Sequence, residues 1–160
     1  MLEIYKNIFI GDDNDCRLAA DNFAIIHACK TCHQSGVGYH GNLSSSHPNY
    51  LIKEYDIHLY LNMVDMEQEL LPKFTHPIIQ TAMNFIQSNI DNKKILIHCN
   101  QGFSRSPSIG LLYLAIKNFL PNIDFNSARN EFENIYPNYQ PGRGIALYMQ
   151  NNWNDLMEFR

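Results

Sequence analysis

The amino-acid sequence predicts a single α/β domain with a short, mostly parallel central sheet flanked by helices. Two observations predict this class. Apolar runs of strand length alternate with helical patterns between residues 4 and 98, and only helical patterns follow. The chain has 160 residues, which suits one domain, and no linker or internal repeat divides it. We therefore predict one domain over residues 1–160.

Short apolar runs of strand length are the first of these patterns. They lie at residues 4–10, 23–28, 57–63 and 95–98. The first ends at Gly11 and is typical of a short strand or hairpin arm, whereas the third alternates apolar and polar residues. The last follows the turn signal Asp91-Asn92 and is typical of a strand buried inside an α/β sheet.

The remaining segments predict helices and one long loop. The helical patterns lie at residues 75–89, 107–120, 125–135 and 146–157. Residues 107–120 are apolar nearly all round, which predicts a buried central helix. Residues 125–135 are amphipathic, with Asp124 or Asn126 as the expected N-cap. Residues 34–50 are polar and rich in Gly and Ser, so we predict a loop that either faces a substrate or is a mobile insertion.

The charge and the apolar content restrict the partners and the location. A net charge of −4 with scattered Lys and Arg gives no attraction to nucleic acid or to anionic lipid, so we predict neither partner. The longest apolar stretch, residues 109–116, is far too short to cross a bilayer. The N-terminus lacks the pattern of a secretion signal, which favours a cytoplasmic location. Thiols stay reduced there, so we expect free cysteines at positions 16, 29, 32 and 99.

The most informative stretch reads ILIHCNQGFSRSP, at residues 95–107. A buried strand ends at His98, a short polar loop follows, and a helix begins near Ser106 and Pro107, because Pro is favoured at the first helical position. Such a loop can turn several backbone N–H groups toward an oxyanion, and the helix dipole adds positive potential at the same point. The stretch therefore predicts an anion site at the end of a strand.

Side chains on this loop add a nucleophile and a cation to the anion site. Cys99 stands at its start, where the N–H groups and the helix end stabilise thiolate over thiol. Arg105, after five intervening residues, presents a planar fork that suits two oxygens of a phosphate. Ser106 can donate a hydrogen bond to the departing sulfur, and Gly102 permits backbone approach that a side chain would block. The predicted phosphate-binding residues are Asn100, Gln101, Gly102, Phe103, Ser104 and Arg105.

This arrangement resembles the signature loop of the cysteine-based protein phosphatases: His-Cys, five residues, Arg, then Ser or Thr. The sequence HCNQGFSRSP is most similar to that of the dual-specificity phosphatases. We call residues 99–105 the signature loop. The resemblance implies a phosphocysteine at Cys99, a supporting role for His98, and a reaction that needs no metal or other cofactor. A buried, inert cysteine is the alternative interpretation.

The resemblance also implies a general acid on a separate loop upstream of the nucleophile. The candidate is Asp65 in LNMVDMEQELLPKF, because it follows the strand predicted at residues 57–63. It would protonate the leaving oxygen and then deprotonate the attacking water. Glu67 and Glu69 lie close enough to compete, and solvated charges on a turn are the alternative. Near the end, IYPNYQPGRG resembles the family's Pro-Asn element, which would bring Asn138 near the site.

Two closely spaced cysteines suggest a separate site. Cys29-Lys-Thr-Cys32-His33 has the spacing of haem attachment, but haem attachment requires an exported chain. A structural zinc site would use Cys29, Cys32 and two of His27, His33, His40 and His47. Two ordinary thiols after a strand are the main interpretation, so we predict no metal site and no cofactor.

Three classes of function are compatible with these residues. The first is a protein phosphatase that acts on phosphotyrosine, with or without phosphoserine and phosphothreonine, in a phosphoprotein or phosphopeptide. The second acts on phosphoinositide or on RNA 5′ phosphates, but residues 100–104 carry no Lys or Arg for such a highly charged group. The third is a module that binds phosphopeptides without catalysis, which the presence of Cys99, Arg105 and an acid candidate disfavours.

Overall fold

The computed structural model describes residues 1–159 of the chain, which contain six strands and seven helices. The strands are β1 (Leu2–Tyr5), β2 (Ile8–Gly11), β3 (Phe23–His27), β4 (Ile52–Tyr55), β5 (His58–Leu61) and β6 (Lys94–His98). The helices are α1 (Asp13–Leu18), α2 (Lys30–Val37), α3 (Pro72–Asn89), α4 (Arg105–Ile116), α5 (Phe125–Ile135), α6 (Arg143–Asn151) and α7 (Trp153–Met157).

The strands form one mixed sheet in the spatial order β1-β2-β6-β3-β5-β4. The four central strands run parallel, and a hairpin at each edge adds an antiparallel strand. The predicted fold class, an α/β domain with a mostly parallel sheet between helices, is confirmed. In β3 and β6, His27 lies opposite His98, so the loops after both strands open at the same edge of the sheet.

Apolar side chains explain why β3 and β6 occupy the centre of the sheet. All five residues of β3 and the last four of β6 are buried. Helix α4 lies against β6 and β2 and is buried from Arg105 to Ala115, as its apolar sequence predicts. Gly110 allows this close approach, because a Cβ there would lie 2.7 Å from Cδ1 of Ile4. The sheet and α4 together position the loop between them.

Helices cover both faces of the sheet. Helices α3 to α7 enclose the main apolar core on one face. On the other face, Cys16 in the second half of α1 packs near Ile25 and Leu96. Helix α2 lies on this second face too, where Gly36 contacts the ring of Tyr60 so closely that a Cβ would lie 2.6 Å from its Cδ1. No helix within residues 1–159 is long and apolar enough to cross a membrane.

Two of the predicted helices are present with boundaries close to those expected. Residues 125–135 form α5, and Asp124 caps it by accepting a 2.8 Å hydrogen bond from the N–H of Ser127. The helix predicted at residues 75–89 is α3, which begins one turn earlier at Pro72.

The central helix α4 likewise begins earlier than predicted. It ends before residue 118, because Asn118 adopts a φ of 60°.

The single helix predicted at residues 146–157 is wrong, because α6 and α7 are separate helices that meet at Asn152. The side-chain Nδ2 of Asn152 donates a 2.9 Å hydrogen bond to the carbonyl oxygen of Tyr148. The backbone of Asn152 leaves the helical region, with φ −117° and ψ 17°. A short polar side chain that bonds the preceding turn competes with the helix, which explains the break.

Three short elements carry no periodic signal in the sequence: α1, α2 and β4. Helix α1 buries no residue, and its signal is the reciprocal capping of Asp12 and Asp15. Helix α2 covers the start of the loop predicted at residues 34–50, which therefore begins only at Gly38, with a φ of 93°. Strand β4 pairs with β5 across a turn in which Asp56 has a φ of 53°.

Candidate active site

Cys99 lies directly after β6, at the start of the loop that leads into α4. Its side chain is buried, and its Sγ accepts a 3.2 Å hydrogen bond from Oγ of Ser106 in the first turn of α4. Ser106 is itself fully buried, with its hydroxyl 3.5 Å from the carbonyl oxygen of Gly11. The hydroxyl predicted to assist the departing sulfur is therefore in contact with it.

The backbone of the signature loop keeps its donors free. Within residues 1–159, the N–H groups of residues 100–104 donate no hydrogen bond, whereas the carbonyls of Asn100, Phe103 and Ser104 all accept one. Gly102 adopts a φ of 75°, and a Cβ there would lie 3.0 Å from a carbonyl oxygen at the end of β2. The loop thus combines five available N–H groups with the N-terminus of α4, which suits an anion.

Arg105 is 9% exposed, and three neighbours surround its guanidinium. Nη1 donates to the carbonyl oxygen of Met63 at 3.2 Å, and Nη2 donates to Oδ1 of Asn100 at 2.9 Å. Nε lies 2.9 Å from Oδ2 of Asp65, an ion pair in which the N–H is not aligned for a hydrogen bond. This buried N–H has no hydrogen-bond acceptor within residues 1–159, which suits an arginine that binds a phosphate oxygen.

Asp65 is the predicted acid that the structure brings to the signature loop. Its Oδ2 faces Arg105, and its Oδ1 accepts a 2.7 Å hydrogen bond from Oγ of Ser104. Within residues 1–159, the carboxylate of Glu67 makes no hydrogen bond or ion pair, and that of Glu69 accepts a bond from α6. Of the three competing acids, Asp65 alone bonds to the signature loop. Its side chain is 40% exposed and can therefore reach a bound substrate.

The loop that carries this acid, residues 62–71, is tied to the start of α6, and we call it the acid loop. The N–H of Gly144 donates to the carbonyl oxygen of Met66 at 2.9 Å. A Cβ on Gly144 would overlap that oxygen, so only glycine fits this approach. The N–H of Gly142 donates to Oγ of Ser104 at 2.9 Å, so one segment holds both loops together. The motif QPGRG contains both glycines, but the sequence does not show which loops they approach.

Tyr136, which carries no functional signal in the sequence, lies two residues before Asn138 and contacts the signature loop. Tyr136 is buried, and its hydroxyl donates a 2.8 Å hydrogen bond to the carbonyl oxygen of Gly102. Burial raises the pKa of Tyr136 to about 12, so the hydroxyl stays protonated at neutral pH. Asn138 is exposed in a cleft beside Phe103, and its side chain makes no hydrogen bond within residues 1–159. A supporting role for Asn138 stays a prediction.

His98 belongs to a row of three histidines on the α1 and α2 side of the sheet. Nε2 of His98 lies 2.8 Å from Nδ1 of His27, whose Nε2 lies 3.0 Å from Nδ1 of His58. Burial lowers the pKa of His98. Burial, together with its two neighbours, lowers the pKa of His27 to about 3. Both rings are therefore neutral at physiological pH, and any support that His98 gives to Cys99 does not depend on a positive charge.

The two closely spaced cysteines lie on the same side of the sheet. All four cysteines are free thiols, and Cys29 is buried while Cys32 is partly exposed. The histidines predicted to join them in a zinc site lie elsewhere: within residues 1–159, His33, His40 and His47 are not among the clustered donors, and His27 belongs to a neighbouring cluster. The donor atoms near both sulfurs belong instead to Asp13 and His98.

An apolar groove with a volume of about 310 Å³ opens beside the acid loop. Leu71 and Phe74 line it with side chains that are 55% and 37% exposed. Within residues 1–159, Lys30 is the one charged residue in its lining. Met63, whose carbonyl oxygen accepts a hydrogen bond from Arg105, also lines the groove, so one residue of the groove contacts the signature loop.

Known proteins with a similar sequence include a dual-specificity phosphatase. No protein-family model matches the chain. Over 98 residues, or 60% of this chain, the sequence is 38% identical to the dual specificity protein phosphatase YVH1 of Plasmodium falciparum, isolate 3D7. The match covers 16% of that relative, so this chain corresponds to only a small part of its length.

Solved structures with a similar fold cover nearly the whole chain. The Yvh1 phosphatase domain from Chaetomium thermophilum has a TM-score of 0.66 at 18% identity, covering 98% of this chain and 95% of that one. DUSP15 has a TM-score of 0.65 at 15% identity, covering 99% and 90%. At these identities the likeness shows the fold alone. Together with the sequence match, it confirms the resemblance to the dual-specificity phosphatases that the signature loop predicts.

Proposed function

We propose that this protein, which resembles the dual-specificity phosphatases in sequence and fold, hydrolyses phosphotyrosine in proteins through a phosphocysteine at Cys99. The observation that best supports the proposal is the group of Cys99, Arg105 and Asp65 around five free backbone N–H groups. A nucleophile, a phosphate-binding cation and an acid are the three groups that such a reaction requires. An inert buried cysteine would need none of these neighbours.

In the first step, the thiolate of Cys99 attacks phosphorus while the bond from phosphorus to the tyrosine oxygen breaks. The free N–H groups of residues 100–104 and the guanidinium of Arg105 bind the other three phosphate oxygens. Asp65, in its protonated form, gives its proton to the departing tyrosine oxygen. The products of this step are the dephosphorylated tyrosine and a phosphocysteine.

In the second step, water attacks the phosphocysteine, and the bond from phosphorus to sulfur breaks. Asp65, now a carboxylate, removes a proton from the water. Ser106 lies 3.2 Å from the sulfur, so its O–H can stabilise the thiolate that leaves. The step releases inorganic phosphate and restores the thiolate of Cys99 and the proton on Asp65.

Two features favour a protein substrate over a multiply charged ligand. The groove beside the acid loop is mostly apolar, and the Nζ of its one charged residue, Lys30, already bonds Oδ1 of Asn42. The nearby Arg143 donates to the carbonyl oxygen of Glu67. Phosphoinositides and RNA 5′ triphosphates carry additional charge that would need further cations. Apolar side chains of a protein substrate, by contrast, would suit an apolar groove.

The test is turnover of four substrates side by side: a phosphotyrosine peptide, a phosphothreonine peptide, a phosphoinositide and a 5′-triphosphate RNA. We expect the highest kcat/KM for the phosphotyrosine peptide, with less or no turnover of phosphothreonine. A preference of about tenfold or more for the phosphoinositide or the RNA would overturn the substrate class but leave the Cys99 chemistry intact. Peptide binding without turnover of any substrate would instead identify a binding module.

A further inference from the structure

We propose that Asp13, Cys29, Cys32 and His98 form a binding site for one Zn²⁺ ion on the face of the sheet opposite α4. One donor atom from each of the four residues lies within 4.8 Å of the others. Tetrahedral zinc, with bonds of about 2.0–2.3 Å, brings its ligands to roughly 3.3–3.8 Å from one another. The four donors therefore need to approach by only about an ångström. Two thiolates, an imidazole and a carboxylate are all ligands that zinc accepts.

The lack of a hydrogen-bond partner at Nδ1 of His98, in the part of the chain that the structure describes, points most directly to a ligand. His98 is fully buried, yet its Nδ1 has no hydrogen-bond partner within residues 1–159. Buried polar atoms are rarely left unpaired, so such an atom calls for a partner. Nδ1 lies 3.5 Å from Oδ1 of Asp13, a second member of the cluster. A metal ion between these two atoms would satisfy both.

The row of histidines orients His98 for this role. An ion bound at Nδ1 of His98 would select the tautomers in which Nε2–H of His98 donates to Nδ1 of His27 and Nε2–H of His27 donates to Nδ1 of His58. This arrangement leaves a lone pair on Nδ1 of His98. Histidines that bind metals usually donate their other ring N–H to an acceptor in this way.

The start of α2 places Cys29 and Cys32 as a chelating pair. Cys29 is the N-cap residue, and Cys32 lies in the first turn, a spacing common to zinc sites. Cys29 is fully buried, whereas Asp13 and Cys32 are partly exposed, which provides an entry path for the ion.

Asp13 connects this zinc site to the signature loop. Its Oδ2 accepts a 3.2 Å hydrogen bond from Nδ2 of Asn100, whose Oδ1 accepts the bond from Arg105. An ion that binds Asp13 would therefore stabilise the side chain that holds Arg105. Cys99 is not among the four ligands, so the role of the ion would be structural. Zinc would stabilise the folded protein by binding to it alone.

The test is a zinc titration of the full chain after treatment with a chelator, with bound zinc counted by elemental analysis. We expect one zinc ion per chain, and a rise in Tm of about 5 to 10 °C at a zinc concentration roughly 100 times the Kd. Co²⁺ in place of zinc should give the absorption of a tetrahedral site with thiolate ligands, a readout that needs no variant. A chain that binds no zinc at micromolar free concentrations would overturn the proposal.

Variants then locate the site. Cys32→Ser and Asp13→Asn should each weaken zinc binding by about tenfold or more. Cys16→Ser is the matched control, because Cys16 belongs to the neighbouring cluster with His27 and His98, and it should bind zinc normally. Cys99→Ser is a second control and should also bind zinc normally. Zinc binding that survives Cys32→Ser but is lost in either control would place the ion elsewhere and overturn the assignment.

Discussion

Oδ2 of Asp65 lies 2.9 Å from Nε of Arg105, so the proposed general acid and the phosphate-binding cation are in contact. The N–H of this nitrogen is not aligned with the carboxylate, and the second carboxylate oxygen accepts a hydrogen bond from Ser104. A phosphate oxygen would be a better-aligned acceptor for Arg105. Phosphate binding is therefore expected to displace Asp65 from Arg105 and to leave its carboxyl group free to face the leaving oxygen.

Asp65→Asn is expected to lower kcat by about 100-fold or more on alkyl phosphates, because general acids contribute on this scale. Aryl phosphates with good leaving groups need less protonation and should lose less. The same variant should bind vanadate at least as tightly as the wild type, because the competing carboxylate is gone. Kinetics on both substrate types and vanadate inhibition check these outcomes. Glu67→Gln is the matched control, and a larger loss in that variant would assign the role to Glu67.

Cys99→Ser is expected to abolish turnover while it preserves phosphate or vanadate binding. The N–H groups of residues 100–104 and the guanidinium of Arg105 are unchanged in this variant, so the anion keeps its partners. Calorimetric titration with the anion and a phosphatase assay provide the two measurements. Arg105→Ala is the complementary variant and should lose anion affinity by about tenfold or more. Turnover within about tenfold of the wild type in Cys99→Ser would exclude the phosphocysteine.

Gly144→Ala is expected to impair proton transfer by Asp65, although the substitution does not change Asp65 itself. The added Cβ would overlap the carbonyl oxygens of Met66 and Gln68, so the acid loop must move. We expect kcat to fall more on alkyl than on aryl phosphates, as it does for Asp65→Asn, but by less. In the double variant with Asp65→Asn, Gly144→Ala should add little, because both changes remove the same function. Independent, additive losses would show that Gly144 acts by another route.

Tyr136→Phe is expected to lower the free energy of unfolding by about 1–3 kcal/mol, because it leaves the buried carbonyl of Gly102 without its partner. Denaturant unfolding provides the measurement. Tyr113→Phe is the matched control: Tyr113 is also buried, but its hydroxyl makes no hydrogen bond within residues 1–159. The control should lose less than about 0.5 kcal/mol. Equal losses in the two variants would contradict a specific role for the bond to Gly102.

The amino-acid sequence by itself determined the strand, loop and helix around Cys99. These elements depend on local properties: a continuous apolar run for β6, a glycine with positive φ in the loop, and an apolar helix that starts next to Pro107. The cap of α5 by Asp124 was predictable for the same reason. Local signals were weak where helices are short, as in α1, or where one polar side chain breaks a helix, as at Asn152.

Only the tertiary structure decided which distant side chains meet at the site. Asp65 rather than Glu67 bonds to the signature loop because α6 holds the acid loop in place through Gly144, and no local pattern encodes that contact. The bond from Tyr136 to Gly102 likewise depends on how α5 ends against the signature loop. The cluster of Asp13, Cys29, Cys32 and His98 forms because neighbouring parallel strands bring their carboxyl ends to one edge of the sheet. Residue types and spacing indicate the chemistry, whereas strand order and helix packing select the residues that carry it out.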